Sequence, residues 1–287
     1  MNGVLIVNKP TNMTSRDVVN ILSKIFHTKK IGHAGTLDPM ATGVLVICIG
    51  KYTKLVEILT GSEKTYEFEA CLGIKTDTLD IEGKVIEEKP CILTSGDIDY
   101  AIQDFPHKYL QEVPIYSAVH VNGKKLYEYA RNHETVTLPK REVEIYHLKR
   151  TGEVKLEHNH TYFKGEIKVS KGTFIRSFIS DFASSLDTIG IMTSLKRIQQ
   201  GKFFIENAYT LEQIEKGDYQ FVDIQSCLQD YPIYEVDSET LKNIQNGALI
   251  NKKYKEDIIA FSFQKKILAI YKTYEKDHSK MKPWKMF

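Results

Sequence analysis

The sequence is short of the features that usually give a protein's chemistry away. Its four cysteines, Cys48, Cys71, Cys91 and Cys227, form no CxxC pair, and none falls near the nine histidines at zinc-ligand spacing. That argues against a disulfide scaffold or a zinc site and for reduced, structural thiols in a cytosol. No Walker-type loop, GxGxxG, HExxH or GxSxG is present, so nucleotide-driven, zinc-dependent and serine-hydrolase chemistry are not expected. No apolar run approaches the ~18–20 residues of a membrane helix. The opening MNGVLIVNKP lacks a basic stretch, and its apolar run is too short for a signal peptide. Internal repeats and low-complexity segments are also missing.

What is present is an ordinary globular composition: 287 residues, 42% hydrophobic and 26% charged, with a net charge of +2. That length allows one large domain, or one large and one small, with a core that needs no staples. The charge is uneven. Residues 1–60 carry 7 Lys/Arg against 3 Asp/Glu, residues 61–230 carry 21 against 27, and residues 231–287 carry 11 against 7. Basic ends around an acidic middle suit a polyanion laid across part of the surface, although lysine-rich surfaces are common.

Along the chain, GVLIVNKP predicts a strand stopped by Pro10. TSRDVVNILSKIF predicts a helix capped by Thr14 or Ser15, with a stripe of Val18, Ile21, Leu22, Ile25 and Phe26. VLVICIG reads as a strand buried on both faces, and KYTKLVEILTG as a short helix closed by Gly61. In KTYEFEACLG the alternation sends Tyr66, Phe68, Ala70 and Leu72 inward. GDIDYAIQDF is helical. Asn122-Gly123 marks a hairpin turn before a helical LYEYAR. EVEIYHL, YFKGEIKVS and SLKRIQQGKFFI are strand-like. KGTFIRSFISDFASSL opens a helix with a stripe of Ile175, Phe178, Ile179, Phe182 and Leu186. Strands mix with helices and hairpins without regular alternation. This predicts an α+β fold, a mixed and largely antiparallel sheet flanked by helices. A boundary near Asp230 divides residues 1–229 from a small basic β-rich module over residues 230–287.

The candidate chemistry centres on KKIGHAGTLDPMATGVLVICIG, residues 29–50, where His33, Gly35, Thr36, Asp38 and Gly43 crowd one loop ahead of a buried strand. An Asp-Pro pair in a Gly/Thr-rich loop often serves only as a turn. Polar groups on a loop held by a rigid core are also where catalytic residues concentrate, and a lone ionised aspartate can act without a metal or second acid. A lone histidine such as His33 is more often structural, but its ring could stack on or wedge between nucleobases. Tyr66, on an apolar strand face, is either core or a stacking platform with a phenol. Arg176, in the first turn of its helix, opposes the macrodipole and so wants an anionic partner, for which Asp38 is a candidate. KGT at that helix start offers N–H groups to a phosphate. Lys29, Lys30 and Lys124 are candidate phosphate contacts.

Five stretches, in order and over nearly the whole chain, resemble the bacterial tRNA pseudouridine synthase B family: GVLIVNKPTNMTS, KIGHAGTLDPMATGVLVICIG, EKTYEFEACLGIKTDTLDIEG, YSAVHVNGKKLYEYAR and VSKGTFIRSFISDF. The resemblance implies isomerisation of uridine to pseudouridine at the T-loop position of tRNA conventionally numbered 55, on a flipped-out base. It implies the pseudouridine synthase fold with a C-terminal PUA-like RNA-binding module, the latter resembling its family counterpart only loosely. It implies Asp38 as the catalytic aspartate, Arg176 as its partner, and Tyr66 stacked on the uracil as a proton acceptor. His33 packs into the RNA loop, Leu195 and Phe174 lie against the target nucleotide, and Lys9, Pro10, Gly35 and Thr36 belong to supporting motifs. No metal, cofactor, membrane or protein partner is implied, and a cytoplasmic monomer acting on the tRNA T-stem loop is expected. Two residues depart from the family pattern: Phe174 stands where tyrosine is frequent, and Asn12 where glycine is.

That reaction fits a single carboxylate. The N1–C1′ bond breaks, uracil turns, and C5 bonds to C1′, with no redox or hydrolysis. Asp38 attacks C1′ or helps remove the C2′ proton, and both routes stay open. The alternatives are a non-catalytic RNA-binding or RNA-folding protein, which would not need Asp38, Tyr66 and Arg176 together, and a guide-dependent enzyme of ribosomal RNA. Against the latter, the chain lacks long basic tails.

Overall fold

The computed structural model describes all 287 residues. The first strand, β1 (Gly3–Lys9), ends where Pro10 removes a donor. Helix α1 (Ser15–Ile25) follows, closed at its start by a capping box between Thr14 and Asp17. Strands β2 (Ile31–Ala34) and β3 (Thr42–Ile49) flank the loop that carries Asp38. After β3 the chain makes a 3-10 turn, Gly50–Leu55, that runs into α2 (Val56–Thr60). The single helix expected here is thus two pieces, and Gly61 closes the second with a bond from its N–H to the Ile58 carbonyl at 3.1 Å. Its φ is −70°, so no left-handed cap forms.

Strand β4 (Lys64–Leu72) leads to a hairpin, β5 (Ile74–Thr76) and β6 (Val85–Glu88), that the sequence pattern did not reveal. Next come α3 (Ser95–Asp104), β7 (Lys108–Glu112), the two-residue strands β8 (His120–Val121) and β9 (Lys124–Lys125), and α4 (Leu126–Arg131). Asn122 and Gly123 both take positive φ, 50° and 81°, as the expected hairpin turn demands. Strand β10 (Lys140–Glu157) is far longer than EVEIYHL, since bulges let it continue along β11 (His160–Val169). Helix α5 (Ile175–Ser185), β12 (Gly190–Gln200) and β13 (Phe203–Phe204) complete the large sheet.

The strand order is β1-β3-β12-β4-β11-β10-β7, with β2 on β3 and β13 on β12. Only the β3–β12 pair is parallel, so the mixed, largely antiparallel sheet is observed as expected. α5 covers one face through an aromatic core of Phe68, Phe105, Phe163, Phe178 and Phe182. Burying each such ring stabilises the fold by roughly 1.5–3 kcal/mol. Alternate residues of β1 and β3 face α1 (Leu5, Val7, Leu45, Ile47) or the opposite side (Val4, Ile6, Val44, Val46). β3 is therefore buried on both faces.

Short helices α6 (Leu211–Glu215) and α7 (Ile224–Cys227) lead to a second sheet. It comprises β14 (Ile233–Glu235), β15 (Ile250–Asn251), β16 (Ile258–Phe263), β17 (Lys266–Tyr274) and β18 (Asp277–Met286), with α8 (Ser238–Gln245) alongside. Ala260, Ile267 and Ile270 of this sheet share one apolar cluster with Val4 and Val44 of the first sheet and Leu59 of α2. All four cysteines are buried and free.

Candidate active site

The loop between β2 and β3 is held almost carbonyl by carbonyl. From the β12 side, Gln200 Nε2 donates to the Ala34 carbonyl at 2.6 Å, and Arg197 donates to those of Gly35 at 2.9 Å and Thr36 at 3.5 Å. From the β1–α1 side, Ser15 Oγ accepts from the Leu37 N–H at 2.9 Å, Lys9 Nζ donates to the Pro39 carbonyl at 3.1 Å, and Thr11 Oγ1 to that of Met40 at 3.2 Å. Gly35 adopts φ +94°, which L side chains rarely take. With the backbone fixed this way, Asp38 aims its carboxylate into a cavity of about 870 Å³ while 34% of its side chain stays exposed.

Arg176, on the first turn of α5, meets Asp38 with two nitrogens: Nε to Oδ2 at 2.9 Å and Nη2 to Oδ1 at 3.2 Å. Asp38, a candidate for the anionic partner that the helix dipole calls for, is thus the one it meets. The guanidinium also donates to the carbonyls of Thr78 and Tyr116, both at 3.0 Å, and its Nη1 lies 3.7 Å from Asp80 Oδ2. Arg176 and Asp80 are each about 5% exposed. A two-point Arg–carboxylate contact fixes direction as well as charge. Asp80 and Thr78 come from the β5–β6 hairpin. Asp80 was not singled out in the sequence, because no periodicity or turn signal separates it from its acidic neighbours.

Tyr66 and Leu195 lie on the adjacent strands β4 and β12 and line the same cavity, each under 10% exposed. Phe174 caps the start of α5 in the cavity wall, with the Arg141 guanidinium 5.9 Å from its ring centroid. Its N–H is taken by Gln111 Oε1 at 2.8 Å, so that peptide group is not free for a phosphate. Lys171, Gly172 and Thr173 do line the cavity. Lys9 is fully buried. Burial pushes its ammonium down to about 8, and the Asp38 charge works against that shift. Its further bonds go to the carbonyls of Pro10 and Met13. Gly35 and Thr36 border the cavity.

His33 stands apart. It lies on β2 outside the cavity wall, its Nδ1 buried without a partner, and burial holds its imidazole below the usual histidine range. Lys29 and Lys30 are exposed just before β2, whereas Lys124 is tied to Glu134 at 2.6 Å. No group of three or more His, Cys, Asp or Glu side chains is placed to hold a metal, and no helix is long and apolar enough to cross a membrane. Lys64 and Arg197, both buried in the cavity wall, were also missed. Their strand pattern reads as ordinary alternation.

This architecture is that of the pseudouridine synthases. The fold superposes on a Cbf5–Nop10–Gar1 complex with a TM-score of 0.69 at 21% identity, over 94% of this chain and 78% of that one. It superposes on an H/ACA RNP bound to a substrate RNA containing 2′-deoxyuridine with a TM-score of 0.70 at 20% identity, over 99% and 84%. Within that class the chain belongs to the TruB family of pseudouridylate synthases, whose N-terminal-domain model matches residues 23–175. It is 39% identical to tRNA pseudouridine synthase B of Lactobacillus acidophilus over 94% of each chain. It is 40% identical to that of Caldanaerobacter subterraneus over 88% of each, and 36% identical to that of Bacillus pumilus over all of this chain and 97% of the relative.

Proposed function

We infer that the protein isomerises uridine to pseudouridine at position 55 in the T loop of tRNA, with Asp38 as the reacting carboxylate on a flipped-out base. The observation that carries this reading is the two-point Arg176–Asp38 pair in the wall of a cavity shared with Tyr66, Phe174 and Leu195. The pair keeps the carboxylate aimed at the space where C1′ and C2′ of the nucleotide come to rest. From there Asp38 attacks C1′ or takes the C2′ proton. Either way the N1–C1′ bond breaks, uracil turns within the cavity and C5 bonds to C1′, expelling Asp38 on the first route and with the proton returned to C2′ on the second; the C5 proton then leaves and N1 gains a proton. Tyr66, in the wall of that cavity, stacks on the uracil and accepts the C5 proton. Phe174 and Leu195 keep the detached base from escaping. Flipping costs a few kcal/mol, and stacking returns roughly 1–3 kcal/mol per base. His33, outside the cavity, is placed to meet the RNA loop the base has left. Residues 1–229 form the catalytic domain in this reading, and residues 230–287 a PUA-like module that binds RNA. The enzyme works as a monomer without cofactor or protein partner.

The test uses an unmodified tRNA transcript, the purified protein and no added metal, with pseudouridine mapped by carbodiimide labelling and primer extension. A single stop in the T loop, absent with Asp38→Asn although tRNA still binds, is the expected result. Retained turnover in that variant removes Asp38 from the chemistry. Tight binding with no stop for either protein makes this an RNA-folding protein instead.

A further inference from the structure

Lys64 and Arg197 lie side by side in the cavity wall, and neither has a counter-charge. Arg197 is 1% exposed, yet its guanidinium donates only to the carbonyls of Val44, Gly35 and Thr36. Lys64 is nearly as buried, and its Nζ donates only to the carbonyls of Thr60 and Ser62. Two of the five N–H groups of one, and one of the three of the other, stay unused. The carboxylates in the same wall are engaged elsewhere: Asp38 by Arg176, and Glu57 by Lys285. Lys171 and Arg141, in the same wall, make no ion pair either. Burying an uncompensated charge is costly, and two together cost more. The ammonium of Lys64 registers this. Burial, then the charges of Arg197 and Lys171, push it down to about 8. The protein alone is short of one anion here.

The geometry also says where that anion sits relative to the base. Arg197 is directly opposite Tyr66 in the β4–β12 ladder, and Lys64 lies two residues before Tyr66 on the same strand face. Two residues along a strand span about 7 Å, a span that suits a base and a phosphate flanking it. The backbone leaves the way open. At Gly35 an added Cβ would come within 3.4 Å of Arg197 Nη1 and 3.5 Å of Lys64 Cε. Glycine there leaves both groups without a side chain of the loop packed against them.

We propose that Lys64 and Arg197 form a seat for one phosphodiester flanking the target uridine, whose negative charge completes a cation pair left unpaired in the free protein. The inference rests on the RNA-modifying reading above. It makes the seat part of how the flipped nucleotide is held, with Tyr66 on the base and the two cations on the backbone of the same nucleotide.

The test is a double-substitution cycle on a T-stem-loop RNA carrying a neutral methylphosphonate at the linkage 5′ or, separately, 3′ of the target uridine. Wild type and Lys64→Met are compared for RNA affinity and for single-turnover pseudouridine formation. With the native RNA, Lys64→Met weakens binding about tenfold or more, and its log affinity against log salt loses about one unit of slope. At one of the two linkages the methylphosphonate weakens wild type by a similar factor and the variant by less than about twofold. Equal losses in both proteins at both linkages overturn the seat. Binding is read apart from turnover, so a wild type that binds with this coupling but forms no pseudouridine overturns only the catalytic reading. Should Lys64→Met not fold, the Nζ signal of Lys64 in ¹⁵N NMR of wild type decides. Its titration midpoint rises from about 8 on binding native RNA and stays put with the methylphosphonate at the seated linkage. A midpoint that moves equally with both RNAs overturns the proposal.

Discussion

Arg176 grips Asp38 through two nitrogens, at 2.9 and 3.2 Å, while the same guanidinium is fastened to the carbonyls of Thr78 and Tyr116. The arginine is therefore not a free counterion. It is a fixed bracket between the β5–β6 hairpin, the segment after β7, and the loop that carries the carboxylate. Asp80, 3.7 Å away, gives the buried guanidinium a second carboxylate neighbour, so its charge does not depend on Asp38 alone.

That bracket predicts the behaviour of Arg176→Lys. The charge is kept, but an ammonium cannot reach two carboxylate oxygens and two carbonyls in one plane. Asp38 then swings off its aim. A misplacement of about 1 Å costs roughly 100-fold in rate, so single-turnover pseudouridine formation falls by about that factor or more while RNA affinity changes by less than about threefold. Rates within about threefold of wild type would mean that Arg176 supplies charge alone.

A second prediction concerns Asp181, on α5 behind the cavity. Its Oδ2 is buried without a partner. Burial, reinforced by Glu112 and opposed by the Tyr109 hydroxyl and Lys140, pushes its carboxyl up to about 6 from 3.8. The folded value lies above the unfolded one, so this group favours the folded state below about pH 4, and that advantage is lost as pH rises through 6. Two units correspond to about 3 kcal/mol at most, and partial solvent contact reduces this to about 1–2 kcal/mol. Asp181→Asn removes the charge but adds an amide with its own unmet N–H groups, which act equally at every pH. The readout is therefore the difference between pH values. The variant's Tm relative to wild type is higher at pH 8 than at pH 4 by roughly 2–4 °C. An identical offset at both would show that Asp181 titrates at its ordinary value.

Much of this was legible in the sequence, and the reasons are local. Thr14 or Ser15 ahead of α1, of which Thr14 is the cap, Pro10 after β1, and Asn122-Gly123 each mark a boundary through backbone chemistry between near neighbours. The alternation in KTYEFEACLG put Tyr66 on the buried face, where it lies. The unfavourable place of an arginine at a helix start called for an anionic partner and made Asp38, 138 residues away, a candidate, and the family resemblance named the pair. What stayed hidden depends on groups distant in sequence that no local rule relates. The β5–β6 hairpin owes its place to Arg176 as much as to its own turn. Lys64 and Arg197 look like ordinary strand residues until the β4–β12 pairing brings both to the cavity wall without an acid. Gln111 is one polar residue on an otherwise unremarkable short strand, and only the folded chain shows what it holds.

Gln111 carries the last prediction. It is 1% exposed, and its amide clamps both backbone groups of Phe174: Oε1 accepts from the N–H at 2.8 Å, and Nε2 donates to the carbonyl at 3.1 Å. Nε2 also donates to the Tyr109 hydroxyl at 2.9 Å. Just beyond it, Ser177 Oγ donates to the Glu112 carbonyl at 2.9 Å and Arg176 to that of Tyr116. Residues 111–116 therefore grip the first turn of α5 at three successive places, and Arg176 projects from that turn. Gln111→Leu keeps the volume but leaves the Phe174 N–H unmet, at about 1–3 kcal/mol, while the Phe174 carbonyl keeps only its bond from the Phe178 N–H at 2.9 Å. A purely structural role would lower Tm and leave the folded fraction fully active. A positioning role lowers kcat about tenfold or more with KM within about threefold, because the aim of Arg176 is disturbed and not the RNA surface. Gln111→Glu separates the two further. Its carboxylate still accepts from the Phe174 N–H but repels the carbonyl, so its kcat falls between those of wild type and Gln111→Leu. If both variants melt earlier yet turn over at the wild-type rate, Gln111 holds the fold and nothing more.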